Sequence, residues 1–150
     1  MAVAQLWVVR PNVMAADFVI NTDQKVVFSY GWGTLTLADI INHRTRLLQD
    51  ARYCAEFRQI MNLADVDEIA LSNSEINVLA RQRVFATESR RALVVRSAIQ
   101  YGLSRVFQGY AGAQNISIFH ELKEAVAWVG VPIEIANKAF SELRAAHGLA

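Results

Sequence analysis

The sequence predicts an α/β fold. The expected form is a mixed, mostly parallel sheet of five or six strands with an N-terminal hairpin and helices packed on it, plus an extra C-terminal helix. Three observations carry this. Short runs rich in β-branched and aromatic residues alternate with helical stripes from residue 17 onward. Arg91-Ala92-Leu93-Val94-Val95 is nearly continuous in apolar character, as strands buried on both faces of a parallel sheet are. Helix starts are marked by Thr36 with Asp39 and by Ser72 with Glu75, pairs in which hydroxyl and carboxylate each satisfy a free backbone N–H.

Taken in order, Leu6-Trp7-Val8-Val9 can form a short strand ended by Pro11-Asn12. Asp17–Asn21 and Lys25–Tyr30 form a hairpin across Thr22-Asp23-Gln24. Gly31-Trp32-Gly33 is expected to break the chain before a helix with Leu37, Ile40, Ile41, Leu47 and Leu48 on its stripe, interrupted by Arg44. Phe57–Leu63 is expected to be a central strand, parallel to the one at Arg91, with Asp65-Val66-Asp67-Glu68 as a polar turn after it. Ile76, Leu79, Ala80 and Arg83 mark the next helix.

After the Arg91 strand, Ser97 caps a helix whose stripe is Ile99, Leu103, Val106, Phe107 and Tyr110, closed by Gly112. Asn115–Phe119 is the last strand. Leu122, Ala125, Val126 and Val129 mark a helix that Gly130 ends, and Pro132 opens one more over about 132–147, with Ile133, Ala136, Phe140 and Leu143 periodic. Phe28, Ile40, Leu47, Ile60, Leu93, Val95, Leu103, Phe107, Ile118 and Val126 are the expected core.

The 150 residues suit a single domain over 1–150, which can bury enough apolar surface to need neither disulfide nor metal. The apolar fraction, 53%, exceeds the roughly 45–50% of ordinary globular proteins. A formal net charge of +1 gives no electrostatic reason for a nucleic-acid or anionic-membrane partner. Cys54 is the only cysteine, which excludes an intramolecular disulfide and suits a reducing, cytoplasmic setting. No signal peptide is read at the N-terminus, and no apolar run approaches the roughly 18 residues of a membrane span.

Residues Phe18 to Asp39, with Gly-Thr-Leu-Thr-Leu-Ala-Asp, resemble the opening of the bacterial SpoIIAA-like family, which has the STAS fold of anti-sigma-factor antagonists. Arg90–Val95 followed by Tyr101–Phe107 is similar to that family's third helix and the strand before it. Asn115–Phe119 followed by Glu124–Gly130 is similar to its last strand and helix. The resemblance covers roughly residues 17 to 130. It implies a protein- or ligand-binding module and no reaction. STAS antagonists carry an Asp-Ser-Ser-Gly-like stretch whose serine is phosphorylated. The corresponding Leu71-Ser72-Asn73-Ser74-Glu75 keeps serines but lacks the Asp and Gly.

The candidate site residues are Ser72 and Ser74, as phosphoacceptors or partner contacts at a helix N-terminus, and Trp32, as an anchor for a partner. The competing reading of the serines is plain capping, and that of Trp32 is packing over the first helix. Gly31-Trp32-Gly33 matches only part of a dinucleotide fingerprint, since Thr36 stands where its third glycine would be. His43, His120, His147 and Cys54 are too scattered for a metal motif, and no cofactor is expected. Arg81, Arg83, Arg90, Arg91, Arg96 and Arg105 give a basic bias, read first as solvated surface charge, with a bound anion or the acidic face of a partner as the alternative.

The expected function is a non-catalytic regulatory or scaffolding module that binds a protein partner. The alternative is a carrier of a small ligand or lipid in an apolar pocket between helices and sheet. An enzyme would have to draw on unpaired groups such as His43, His120 or Asp65. The apolar stripe of the last helix must be buried either on its own domain or across a two-fold axis, and a homodimer is expected.

Overall fold

A computed structural model describes residues 14–149. Strands β1 (Ala16–Asn21) and β2 (Val26–Thr36) form an antiparallel hairpin, and β3 (Arg58–Ala70), β4 (Arg91–Val94) and β5 (Ile116–Phe119) join it in parallel. The strand order is β1-β2-β3-β4-β5, which puts β3 at the centre and makes it the parallel neighbour of β4, as expected from the sequence. The helices are α1 (Leu37–Gln49), α2 (Asn73–Arg81), α3 (Ala98–Ala111), α4 (Leu122–Val129) and α5 (Ile133–Ala146). Among the described residues no helix is long and apolar enough to cross a membrane. Leu6-Trp7-Val8-Val9 lies outside the described residues.

Local chemistry fixes the helix starts. Thr36, Ser72 and Ser97 each close a capping box, with Asp39, Glu75 and Gln100 reaching back to the cap N–H. Gly130 ends α4 at φ 89°, a left-handed conformation that costs glycine nothing.

Alternation along the strands divides the sheet into two faces. One face carries Val26, Phe28, Tyr30, Ile60, Ala92 and Val94, which pack with Ala125, Val126 and Val129 of α4 and Ala136, Phe140 and Leu143 of α5. The other carries Val27, Ser29, Gln59, Met61, Leu63, Arg91 and Leu93 and lies under α1, α2 and α3. The expected core residues Phe28, Leu47, Ile60, Leu93, Val95 and Val126 are buried, whereas Ile40, Leu103, Phe107 and Ile118 are only half-buried.

Four expectations are corrected. Gly31-Trp32-Gly33 does not end the strand, and Asp65-Val66-Asp67-Glu68 is not a turn. β2 and β3 run on together to Thr36 and Ala70 as a two-stranded ribbon beyond the end of β4. The ribbon absorbs its glycines in register shifts at Tyr30/Trp32 and Gly33/Thr34, with Gly33 at φ 59°. It tolerates Asp67 and Glu68 because both are exposed there.

Third, the apolar stripe of α3 is only partly its buried face: Leu103, Val106 and Phe107 are half-buried, Phe107 against the cluster of Leu93 and Ala111, but both ends of the stripe face solvent. Ile99 is 75% and Tyr110 40% exposed, while Gln100, Ser104 and Ala111 face inward. Small Ser104 and Ala111 permit a close approach, and Gln100 fastens the helix by donating from Nε2 to the carbonyl of Val66 at 2.7 Å. Gln100→Ala is therefore expected to cost about 1–3 kcal/mol in urea unfolding, because a buried carbonyl loses its donor, and Leu103→Ala about 1 kcal/mol or less.

Fourth, the stripe of the last helix is not free for a partner. Ala136, Phe140 and Leu143 are buried on the chain's own sheet, Phe140 meeting Phe28 edge-on at 5.6 Å between ring centroids. Polar contacts at its C-terminal end also tie the helix down. Arg144 Nε donates to Asp65 Oδ2 at 3.1 Å, and His147 Nε2 lies 2.8 Å from Asp17 Oδ2.

Candidate functional site

On the sheet face under α1, α2 and α3, three polar side chains occupy inward positions on adjacent strands: Ser29 on β2, Gln59 on β3 and Arg91 on β4. Gln59 and Arg91 are register partners, and Ser29 lies one inward step further along β2 than Val27, the partner of Gln59. All three are buried.

Their hydrogen bonds run in one direction. A guanidinium only donates, so Arg91 Nε fixes the Gln59 amide with its oxygen toward Arg91, at 3.2 Å. Gln59 Nε2 then donates to Ser29 Oγ at 3.0 Å, which frees the Ser29 hydroxyl hydrogen for His43 Nε2, 2.9 Å away. Arg91 Nη1 donates to Gln114 Oε1 at 2.9 Å, and the guanidinium lies 5.0 Å from the Phe85 ring centroid.

His43 and Arg44 reach this network from α1. Burial, aided by the positive charges of Arg46 and Arg44, pushes the His43 imidazole down to about 4, so it is neutral at pH 7. Neutral imidazole accepts the Ser29 hydroxyl hydrogen, consistent with the direction of the chain. Arg44 Nη1 donates to the Leu79 carbonyl at 2.7 Å and to Gln82 Oε1 at 3.0 Å, bracing α1 against α2. Burial pushes Arg44 down to about 10; burial and the nearby Arg44 push Arg91 down to about 9.

Above the network lies a cavity of about 110 Å³. Its apolar wall includes Leu47 of α1, Ile76 and Leu79 of α2, Leu63 and Leu93 of the sheet, and Val84 and Phe85 of the loop after α2. Its polar end is His43, Arg44, Gln59 and Arg91. Half-buried Ile40, Ile69 and Leu71 form the side nearest solvent. The arrangement can hold a mostly apolar molecule and orient one polar group.

His43 and Ser29 stand at a distance suited to a base and a nucleophile. Ser29, however, has no exposed surface and is not on the cavity wall, so its hydroxyl cannot meet a substrate in this geometry. Among the described residues no group of three or more His, Cys, Asp or Glu is placed to hold a metal ion.

Ser72 and Ser74, singled out in the sequence, are both exposed at the start of α2. Ser72 Oγ accepts from the Glu75 N–H at 3.1 Å, and the Glu75 carboxylate accepts from the Ser72 N–H at 2.8 Å. Ser72→Ala is expected to cost about 1 kcal/mol of stability in thermal or urea unfolding, as loss of a cap does, and Ser74→Ala close to nothing.

Trp32 is half-buried on the other sheet face, its ring 4.4 Å from His147 and 5.4 Å from Tyr30. It borders a second concavity with Tyr30, Asp65 and Arg144. There, burial and the hydrogen bond to Asp65 push the Tyr30 hydroxyl up to about 12. Trp32 packs toward α5 rather than α1. The structure thus brings Ser72 and Ser74 together but places Trp32 on the opposite side of the sheet.

Ser29 and Gln59 belong to no motif in the sequence, and Arg91 falls among arginines expected to be solvated. Arg91 is 6% exposed. The usable signal was parity: in Val27-Phe28-Ser29 and Gln59-Ile60-Met61 a polar residue falls in step with inward neighbours.

No family model matches the sequence, and no curated protein matches it. Among solved structures, the chain is similar to an uncharacterized protein from the DUF3478 family with a SpoIIAA-like fold, from Shewanella loihica PV-4. The TM-score is 0.57 and the identity 18%, over 78% of this chain and 95% of that one. The protein has a SpoIIAA-like fold.

Proposed function

We propose that this protein is a non-catalytic binding module that takes a small, mostly apolar ligand between its sheet and the layer of α1, α2 and α3. The observation that carries the reading is the cavity itself: apolar walls closed at one end by His43, Arg44, Gln59 and Arg91. Pockets for small molecules have this composition, an apolar lining with a few placed polar groups that set orientation. The SpoIIAA-like fold is compatible with a binding role and supplies no substrate.

The test is a methyl NMR titration with 1-hexanol and with hexanoate. Shifts confined to Leu47, Leu79, Val84 and Leu93 support the reading. No shift at these methyls with either compound at millimolar concentration overturns it.

A second reading, contact with a protein, draws on α1. Ile41 and Leu48 lie seven residues apart on one stripe and are 44% and 54% exposed, and Val78 of neighbouring α2 is 55% exposed. A homodimer through this surface would replace the one first expected of the last helix. Sedimentation of the wild type and of Leu48→Ser at tens of micromolar checks it: dissociation on substitution supports the surface, and a monomeric wild type removes the dimer.

A further inference from the structure

Charge at the closed end of the cavity defines the ligand more narrowly. A buried charge is costly unless a counter-charge accompanies it. Half-buried Arg46 and Arg144 have theirs, in Asp17 and Asp65. The two arginines on the cavity do not: among the described residues no carboxylate forms an ion pair with Arg44 or Arg91. The partners of the Arg91 side chain are the neutral amide oxygens of Gln59 and Gln114.

One terminal nitrogen of Arg91 has no partner among the described residues. No fully buried polar side-chain atom there lacks one, so this nitrogen keeps some accessible surface, and Arg91 lines the cavity. Among the described residues Arg44 likewise donates only through Nη1. Buried Arg91 and half-buried Arg44 therefore line one mostly apolar space with donors to spare and, among the described residues, no carboxylate paired to either.

We propose that the cavity binds a small amphipathic carboxylate, with its oxygens on Arg91 and Arg44 and its hydrocarbon part among Leu47, Leu79, Val84 and Leu93. This rests on the ligand-binding reading above and adds the charge and size of the ligand. At about 110 Å³ the cavity is somewhat smaller than the roughly 150 Å³ that admits benzene, so the apolar part is short, about four to six carbons. A monoanion fits better than a phosphate. With several donors already committed to neutral partners, a dianion would bury oxygens that nothing satisfies. The depressed basicity of Arg91 is what an unpaired buried guanidinium has, and a bound anion would reverse it.

The experiment is calorimetric titration at pH 7.5 with hexanoate, 1-hexanol, hexylamine and hexyl phosphate, molecules that share a tail and differ in head. Hexanoate is expected to bind about tenfold or more tightly than 1-hexanol, the scale of a charge-assisted hydrogen bond, with hexylamine weakest. Arg91→Gln is expected to erase the advantage of hexanoate while 1-hexanol binding persists. Should that variant fail to fold, the head-group comparison on the wild type decides alone, with Arg44→Gln as the second variant.

Equal binding of hexanoate and 1-hexanol would overturn the anion assignment and leave the pocket standing. Tighter binding of hexyl phosphate than of hexanoate would overturn the carboxylate. No binding of any of the four would overturn the ligand-binding reading and this inference with it.

Discussion

Phe140→Ala is expected to lower the free energy of unfolding by about 3–5 kcal/mol, the range for a large aromatic removed from a packed core. Phe140 is 1% exposed, and its ring meets Phe28 at 5.6 Å and Tyr30 at 6.3 Å. These contacts join the last helix to the middle of the sheet, so the cavity left behind cannot collapse without moving α5. Lys138→Ala, on the exposed side of the same helix, is expected to change stability by less than about 0.5 kcal/mol. Urea unfolding at pH 7 measures both. A loss under about 1 kcal/mol for Phe140→Ala would show that α5 packs on the sheet only loosely. For the same reason a chain ending at Gly130 is expected to lose cooperative unfolding.

Acid is expected to remove about 3 kcal/mol of stability through His43 alone between pH 7 and pH 4, from a change in its pKa between 6.5 unfolded and about 4 folded. Above pH 6.5 the imidazole is neutral in both states and its contribution is complete. As pH falls from 6.5 toward 4, the unfolded chain binds a proton that the native state refuses, so stability drops with pH. Below about 4 both states are protonated and the loss stops.

His43→Gln keeps a hydrogen-bonding group near Ser29 but cannot titrate. Its stability should therefore vary much less between pH 7 and pH 4 than that of the wild type. For Asp17, burial raises the pKa but hydrogen bonds from His147 and Arg46 outweigh it; for Asp65, those from Tyr30 and Arg144 do the same. Both carboxyls are held below the usual range, so they add losses in stronger acid that wild type and variant share. Parallel pH profiles for the two proteins would show that His43 is not buried as described.

Much of the architecture was legible because local chemistry and burial agree. The hairpin, the capping boxes at Thr36 and Ser72 and the apolar Arg91 strand each state one structure by themselves. Where they disagreed, the reading failed. On α3, Ile99 and Tyr110 obey the helical period yet face solvent, because the closely packed side needs Ser104 and the carbonyl of Val66 needs Gln100. In the β2–β3 ribbon, Asp67 and Glu68 are polar without being a turn, because pairing between two strands does not require burial.

The candidate site was hidden for a related reason. Ser29, Gln59 and Arg91 are separated by tens of residues and become a group only when β2, β3 and β4 lie side by side. Arg91 counts among six scattered arginines by charge, although the apolar run Ala92-Leu93-Val94-Val95 that follows it already points to a buried strand.

The latch between Asp17 and His147 joins residues 130 apart, and that between Asp65 and Arg144 residues 79 apart. Every strand of the sheet precedes the helix that covers Phe28 and Ile60. During synthesis, the α4/α5 face of the sheet must therefore wait, greasy and incompletely covered, until the ribosome has delivered Phe140, the order in which growing chains are prone to associate wrongly. The opposite face has no such delay for α1 and α2, whose sequences lie between the strands they cross. A ribosome-bound chain stalled just after α4 should thus recruit chaperones more strongly than one carrying α5 in full.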